Sequence, residues 1–294
     1  MAWFDRTGRL METLGPKGNY GNVAIDHGGR RVLFDRLQPR DGTRNLWILD
    51  PEHNGEVRVT SDPTDEYNGI WLPDGKSIVY TARSGGMCQL RRRELSTGRV
   101  EALTPFVDYV EAGAVVTGTS QLAYTNETGG RAEMRLVSLL GDKKSDLLPQ
   151  AEAFGRGGIQ LSPEGRFMVF ADSESGQDEI YVAPLSSPEE KIRVSFGVGS
   201  TASSRWSRDG REILYLSPGR QLMSAPIRTT PSLSVGKPSA LFTFKEDAAA
   251  YFFDVSPDGK RFLAVLAEGA GEPAPLHIVL NWTAEVAAAG GQAR

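Results

Sequence analysis

Short apolar runs separated by polar turns recur along the whole chain, and no stretch carries the apolar spacing of a long amphipathic helix. One phrase repeats: an apolar strand, a turn ending in Gly and usually a basic residue, then a second apolar strand. Clear copies are Trp71-Leu72-Pro73-Asp74-Gly75-Lys76 before Ile78-Val79-Tyr80, and Leu161-Ser162-Pro163-Glu164-Gly165-Arg166 before Phe167-Met168-Val169-Phe170. Two more are Trp206-Ser207-Arg208-Asp209-Gly210-Arg211 before Ile213-Leu214-Tyr215, and Val255-Ser256-Pro257-Asp258-Gly259-Lys260 before Phe262-Leu263-Ala264-Val265. Weaker copies are Ile25-Asp26-His27-Gly28-Gly29-Arg30 before Val32-Leu33-Phe34, and Val115-Val116-Thr117-Gly118 before Leu122-Ala123-Tyr124. The turn glycines fall at 29, 75, 118, 165, 210 and 259, with gaps of 46, 43, 47, 45 and 49. Pro presets φ, Asp bonds locally to the backbone, and Gly supplies the positive φ that closes a hairpin. Each phrase therefore predicts a hairpin of two strands, A and B.

Two further strands follow each hairpin. The third, C, covers Leu46–Leu49, Leu90–Leu95, Met134–Leu139, Ile180–Val182 and Leu222–Ile227. The fourth, D, is shorter and often ends in Thr or Ser: Val57–Thr60, Val100–Thr104, Asp146–Leu148, Ile192–Ser195 and Ala240–Thr243. Four antiparallel strands per repeat of this period make a propeller blade. The last repeat supplies A (Phe252–Val255), B (Phe262–Val265) and C (Leu276–Leu280), then lacks a fourth strand. Two N-terminal segments, Ala2–Asp5 and Leu10–Leu14, are spare, and either can close the ring and remove an open edge. The expectation is an all-β fold: one six-bladed β-propeller of four-stranded antiparallel blades over residues 1–286, closed by N-terminal strand pairing with the last blade, and a flexible tail over 287–294.

Composition agrees. The 294 residues include 33 Gly and 17 Pro, suited to many turns, and the net charge of −4 with mixed signs gives no nucleic-acid footprint. The lone Cys88 allows no intramolecular disulfide and reads as a small core residue. The N-terminus lacks a basic segment followed by an apolar run, so no signal peptide is expected, and no apolar stretch is long enough to insert in a membrane.

Catalytic motifs are scarce. No HExxH, CxxC or GxSxG occurs, and His27, His53 and His277 are scattered. Gly69–Ser77 ends like a phosphate-binding loop, but the same turn recurs in other blades and is structural. Gly197–Ala202 fits a loose dinucleotide fingerprint without the helix that motif requires. Asp172–Asp178 alternates acidic oxygens with a glycine, which suits Ca²⁺ or a solvated turn. Trp71 and Trp206 are expected between blades, and Arg91-Arg92-Arg93 reads as a solvated face or a partner surface.

The Ser-Pro-Asp-Gly-Lys/Arg phrase, with Asp178-Glu179-Ile180-Tyr181-Val182 as a third strand, resembles the repeat of TolB-like propellers, WD-like repeats of bacteria. Trp3-Phe4-Asp5-Arg6-Thr7-Gly8-Arg9 and Val279-Leu280-Asn281-Trp282-Thr283 resemble the edges of the C-terminal propeller of bacterial receptor-type serine/threonine kinases. The resemblance implies binding of a protein partner or small ligand, in an extracytoplasmic or periplasmic setting. The third repeat departs from the pattern, with Thr117-Gly118-Thr119-Ser120 in place of Pro-Asp-Gly.

In a propeller the D-to-A crossovers converge on one mouth of the central channel. Five of the six crossovers carry an aromatic at a similar offset: Tyr20, Tyr67, Tyr109, Phe154 and Tyr251. Acidic groups gather at Asp65, Glu66, Asp108 and Glu111, with Arg156 and Arg205 nearly opposite. These residues either wedge between blades and cap strand ends, or form an aromatic, charge-polarised rim that binds a ligand. The primary expectation is a non-enzymatic binding or sensor propeller acting at this mouth on a protein partner, peptide or small molecule, without a cofactor. The alternative is a metal-dependent lactonase-type hydrolase or lyase with a divalent cation such as Ca²⁺ in the channel, which would need Glu66, Asn68, Asp108 and Glu111 to converge.

Overall fold

The computed structural model describes residues 1–50, 55–152, 159–172, 176–196, 204–218, 221–244 and 248–268. Their regular structure is all strand. The chain opens with β1 (Ala2–Asp5) and β2 (Leu10–Thr13). The first blade is β3 (Tyr20–Ile25), β4 (Val32–Leu37), β5 (Arg44–Asp50) and β6 (Gly55–Arg58). The second is β7 (Asp65–Trp71), β8 (Ser77–Ser84), β9 (Met87–Glu94) and β10 (Val100–Ala102). The third is β11 (Tyr109–Val115), β12 (Gln121–Thr128), β13 (Arg131–Ser138) and β14 (Ser145–Glu152). The fourth is β15 (Gln160–Leu161), β16 (Phe167–Asp172), β17 (Glu179–Pro184) and β18 (Ile192–Arg193). The fifth is β19 (Ser204–Trp206), β20 (Glu212–Leu216) and β21 (Gln221–Arg228), whose outer edge is shared by β22 (Ser234–Val235) and β23 (Ser239–Thr243). The sixth contains β24 (Ala248–Val255) and β25 (Arg261–Glu268). Each blade is an antiparallel meander, so the six-bladed β-propeller read from the repeat is the observed fold.

The turn phrase does what its residues predict. Asp74 Oδ1 accepts the backbone N–H of Lys76 (2.8 Å) and Ser77 (2.9 Å), and Gly75 donates to the Leu72 carbonyl (2.9 Å) at a φ of +61°. The third turn differs. There Thr119 donates to the Val116 carbonyl (3.0 Å), and Gly118 takes its φ of +76° one position earlier. Counting from Thr119 makes the neighbouring spacings 44 and 46, more even than a count from Gly118. The Thr or Ser that ends a D strand also has a defined task. Thr60, Thr104 and Ser195 hydroxyls accept the C-strand amides of Leu46 (2.9 Å), Leu90 (3.0 Å) and Ile180 (2.9 Å).

The apolar clusters lie between neighbouring blades. Leu33 and Leu46 pack against Trp71, Ile78 and Tyr80 across the first seam, while Trp3 and Leu263 pack against Val23 and Phe34 across the last. Trp71 is the wedge expected: its Nε1 donates to the Ala24 carbonyl (3.0 Å) and Arg31 stacks 4.4 Å from its ring. Trp206 packs likewise with Phe167 and Val169.

Closure uses both N-terminal segments. The sixth sheet has the order β2-β1-β25-β24, with Trp3 opposite Leu263 and Phe4 opposite Phe262. β1 thus takes the place beside β25 that the sequence assigned to Leu276–Leu280, a segment outside the described residues. Arg6 extends the closure, donating to both Glu212 carboxylate oxygens (2.8 and 2.9 Å) and the Gly259 carbonyl (3.0 Å). Among the described residues no helix is long and apolar enough to cross a membrane.

Candidate functional site: the central channel

The innermost strands of all six blades enclose a cavity of about 940 Å³. Its lining follows from the repeat. In each A–B turn one residue offers its carbonyl to the closing N–H: Asp26, Leu72, Val116, Ser162, Ser207 and Ser256. The residues two positions before these are Ala24, Ile70, Ala114, Gln160, Arg205 and Asp254, and all six line the cavity. Strand alternation sends these side chains inward because their neighbours face the inter-blade core. The resulting ring is polarised. Blades one to three contribute small or apolar groups, and blades four to six contribute an amide, a guanidinium and a carboxylate.

Arg205 crosses this ring. Its Nε lies 3.5 Å from Asp254 Oδ1, one Nη donates to the Ser204 carbonyl (2.9 Å), and the other donates to Asn22 Oδ1 (3.3 Å) on the first blade. Asp254 is well supplied with donors, since it also accepts the backbone N–H of Ile25 (2.7 Å) and Val255 (2.8 Å).

Asn22 and Asn68 face the channel from adjacent blades, and a buried carboxylate behind them fixes both. Asp35, 1% exposed, accepts the backbone N–H of Asn22 (2.9 Å) and of Asn68 (3.4 Å) on one oxygen and Arg44 Nη1 (2.7 Å) on the other. Both A strands bulge here, with register breaks between Tyr20 and Val23 and between Tyr67 and Ile70. Asn68 has a φ of +52°, a conformation Asn tolerates better than most residues. A Cβ at Gly21 would lie 2.0 Å from Asp35 Oδ1, so only glycine fits beside this carboxylate. Burial pushes the Asp35 pKa up, opposed by Arg44 and the two amides.

Glu111 and Tyr109 line the channel on the third blade, where the Tyr109 hydroxyl donates to Glu111 Oε2. Burial raises the Glu111 pKa, while the Tyr109 hydrogen bond and the Arg205 charge oppose that rise. Burial and the adjacent carboxylate hold the Tyr109 hydroxyl firmly protonated.

Of the rim residues singled out from the sequence, Tyr109, Glu111 and Arg205 therefore line the channel, with Asn68 of the metal alternative. The other rim residues described do not line it. Asp65 accepts the Arg44 N–H (2.9 Å), and Asp108 accepts the Gly129 N–H (2.6 Å). Glu66, 1% exposed, sits at the first seam with Asn45 Nδ2 at 3.4 Å, its pKa raised by burial. Tyr20 packs edge-on to Phe34 at 5.3 Å, and Tyr67 contacts Cys88 Sγ at 3.5 Å. These five cap strand ends or pack between blades instead. Phe154 and Arg156 lie outside the described residues, as does the side chain of Tyr251. So do Gly197–Ala202, the centre of Asp172–Asp178, His53, His277 and the tail over 287–294.

Sequence reasoning passed over Gln160 and Asp254 as site residues, and named Asn68 only for the metal alternative. The available signal was the fixed offset from the turn, which aligns Gln160, Arg205 and Asp254. The Arg91–Arg93 run is structural rather than free: Arg91 pairs with Asp62 (3.0 Å), and Arg92 reaches the Leu139 carbonyl (3.4 Å) and Ser77 Oγ (3.3 Å). Among the described residues no three His, Cys, Asp or Glu side chains come together as a cation site.

No protein-family model matches the chain. The curated dipeptidyl-peptidase 5 of Porphyromonas gingivalis is 30% identical over 59 residues, which span 20% of this chain and only 9% of that protein's length. Solved structures similar in fold include a putative TolB from Agrobacterium tumefaciens, with a TM-score of 0.70 at 14% identity, covering 92% of this chain and 97% of that one. TolB from Acinetobacter baumannii gives 0.58 at 16% identity, covering 78% of this chain and 58% of that one. An oligogalacturonate lyase in complex with manganese gives 0.56 at 16% identity, covering 82% and 69%. The structural neighbours thus include TolB-like six-bladed propellers, and at these identities the likeness is one of fold.

Proposed function

We propose that the protein is a non-enzymatic binding or sensor propeller that receives a small ligand, or the end of a protein partner, in its central channel from the crossover mouth. The observation that carries this reading is the channel itself: about 940 Å³, with the amide side chains of Asn68 and Gln160 free of hydrogen bonds among the described residues. Pockets that bind ligands combine apolar walls with a few fixed polar groups in this way. The TolB-like fold supports it, and the receptor-kinase resemblance of Trp3–Arg9 and Val279–Thr283 supports a sensor outside the cytoplasm as its finer form. Metal-assisted catalysis would draw on Glu66, Asn68, Asp108 and Glu111, of which only Asn68 and Glu111 line the channel.

The test is thermal melting with a panel of short peptides and oligosaccharides, on wild type and on Ala114→Phe, which fills the channel from the third blade. A ligand of the folded state raises the melting temperature. A shift in wild type that disappears in Ala114→Phe supports the reading. A shift that survives the block, or no shift by any compound, contradicts it.

A further inference from the structure

The carboxylates that line the channel differ in how they are satisfied. The described lining carries Glu111 and Asp254, with the guanidinium groups of Arg205 and Arg208. Asp254 already receives two backbone N–H groups and the guanidinium. Glu111 receives only the Tyr109 hydroxyl on Oε2, which leaves Oε1 as an acceptor without a donor among the described residues. The side-chain amide of Asn68 lies in the same lining with its hydrogen-bonding capacity unused. A half-buried carboxylate with an unused acceptor oxygen favours a ligand that brings both a positive charge and N–H donors.

Resting on the channel reading above, we infer that the ligand end received there is a primary ammonium group, held by the Glu111 carboxylate with the Asn68 amide beside it. Its source is a peptide N-terminus or an aliphatic polyamine, which share this chemistry. Tyr109 orients the carboxylate and Arg205 sets the far limit of the subsite. Because burial disfavours the Glu111 charge, ammonium binding releases a proton from the carboxyl fraction that is protonated beforehand. Affinity therefore increases as pH rises through the elevated Glu111 pKa. The other groups facing Glu111 are Tyr109, Tyr67 and Arg205, and burial holds both tyrosine hydroxyls protonated.

The experiment uses three probes: trialanine amide with a free N-terminus, its N-acetylated form, and spermidine. Binding is read from the Trp71 and Trp206 indole signals in protein-observed NMR, since both residues border the channel. The free-amine peptide or spermidine binds at least about tenfold more tightly than the acetylated peptide, and Glu111→Gln removes that preference. Preference for the peptide identifies an N-terminus, and preference for spermidine identifies a polyamine. Glu111→Gln keeps shape and the Tyr109 bond, and a cooperative melting transition no lower than that of wild type confirms that it folds. Equal binding of free and acetylated peptides, or an ammonium preference that survives Glu111→Gln, overturns the inference and leaves the channel reading in place. Absence of channel signals with every probe, together with a failed ligand panel, overturns both.

Discussion

The Asp35 carboxylate accepts the backbone N–H of Asn68, a residue of the next blade, at 3.4 Å, and holds it at a φ of +52°. The same oxygen accepts the Asn22 N–H at 2.9 Å. One buried acid thus sets the bulges that turn two asparagines toward the channel, and Arg44 at 2.7 Å supplies its counter-charge. Asp35→Ala leaves two amides and a guanidinium without their acceptor. The expected loss of stability is about 3 kcal/mol by urea unfolding, as for a buried ion pair broken on one side. Channel binding weakens in the surviving folded fraction. A loss within experimental error of zero would show that Asp35 is not the anchor of this wall.

The turn aspartates predict an acid limb in the stability profile. Asp209 and Asp258 have pKa values held low, first by the Ser207 and Ser256 hydroxyls and further by the backbone N–H of Arg211 and Lys260. A folded-state pKa below the unfolded value contributes stability that is complete above about pH 4 and disappears as pH falls through the lowered value. The double variant Asp209→Asn with Asp258→Asn should therefore be less stable than wild type at pH 6, with the gap closing toward pH 2. A gap that does not narrow on acidification would contradict the assignment.

Glu111 has the opposite sign. Its pKa is raised, chiefly by burial, so its contribution is most favourable below the unfolded carboxylate range and declines as pH rises through the elevated folded value. Glu111→Gln cannot ionise and keeps an acceptor for Tyr109. In the ligand-free protein its melting temperature should equal or exceed that of wild type at pH 8, with the advantage vanishing at pH 4. A variant less stable than wild type at pH 8 would show that the Glu111 charge is compensated rather than strained.

Ring closure predicts a specific failure. Removing residues 1–13 deletes β1 and β2 and bares the β25 edge, together with the apolar surface that Trp3 and Phe4 cover. Exposed strand edges template association. The truncated chain should melt at lower temperature and elute as oligomers in size-exclusion chromatography. Trp3→Ala, which leaves the backbone pairing intact, should cost about 3–5 kcal/mol without oligomers. A monomeric, stable truncation would mean that the sixth blade does not depend on these strands.

The blade count, the hairpins and the N-terminal closure were legible because they rest on local rules: strand alternation, Pro-Asp-Gly chemistry and an even period. The site was half legible. Tyr109, Glu111 and Arg205 were found because crossovers converge in any propeller. Asp65, Glu66, Tyr67 and Asp108 carry equally suggestive side chains, but their partners, Arg44, Asn45, Cys88 and Gly129, each lie 21 residues away and leave no local sequence signature. How Asn22 and Asn68 are held was hidden for the same reason, since the carboxylate that stations them comes from β4 of the first blade, remote in sequence from Asn68. Gly118 misled the third register because glycine is free to take its positive φ at more than one place in a turn.

The most direct test of the channel as the binding site is to follow the side-chain amide signals of Asn22, Asn68 and Gln160 in ¹⁵N-labelled protein during titration with whichever panel compound raises the melting temperature. The account predicts saturable shifts in these three amides, with half-buried Gln221 on the fifth blade, outside the channel lining, unmoved, and loss of the shifts in Ala114→Phe. Shifts at Gln221 or other outer-strand groups, with the three channel amides silent, would contradict it.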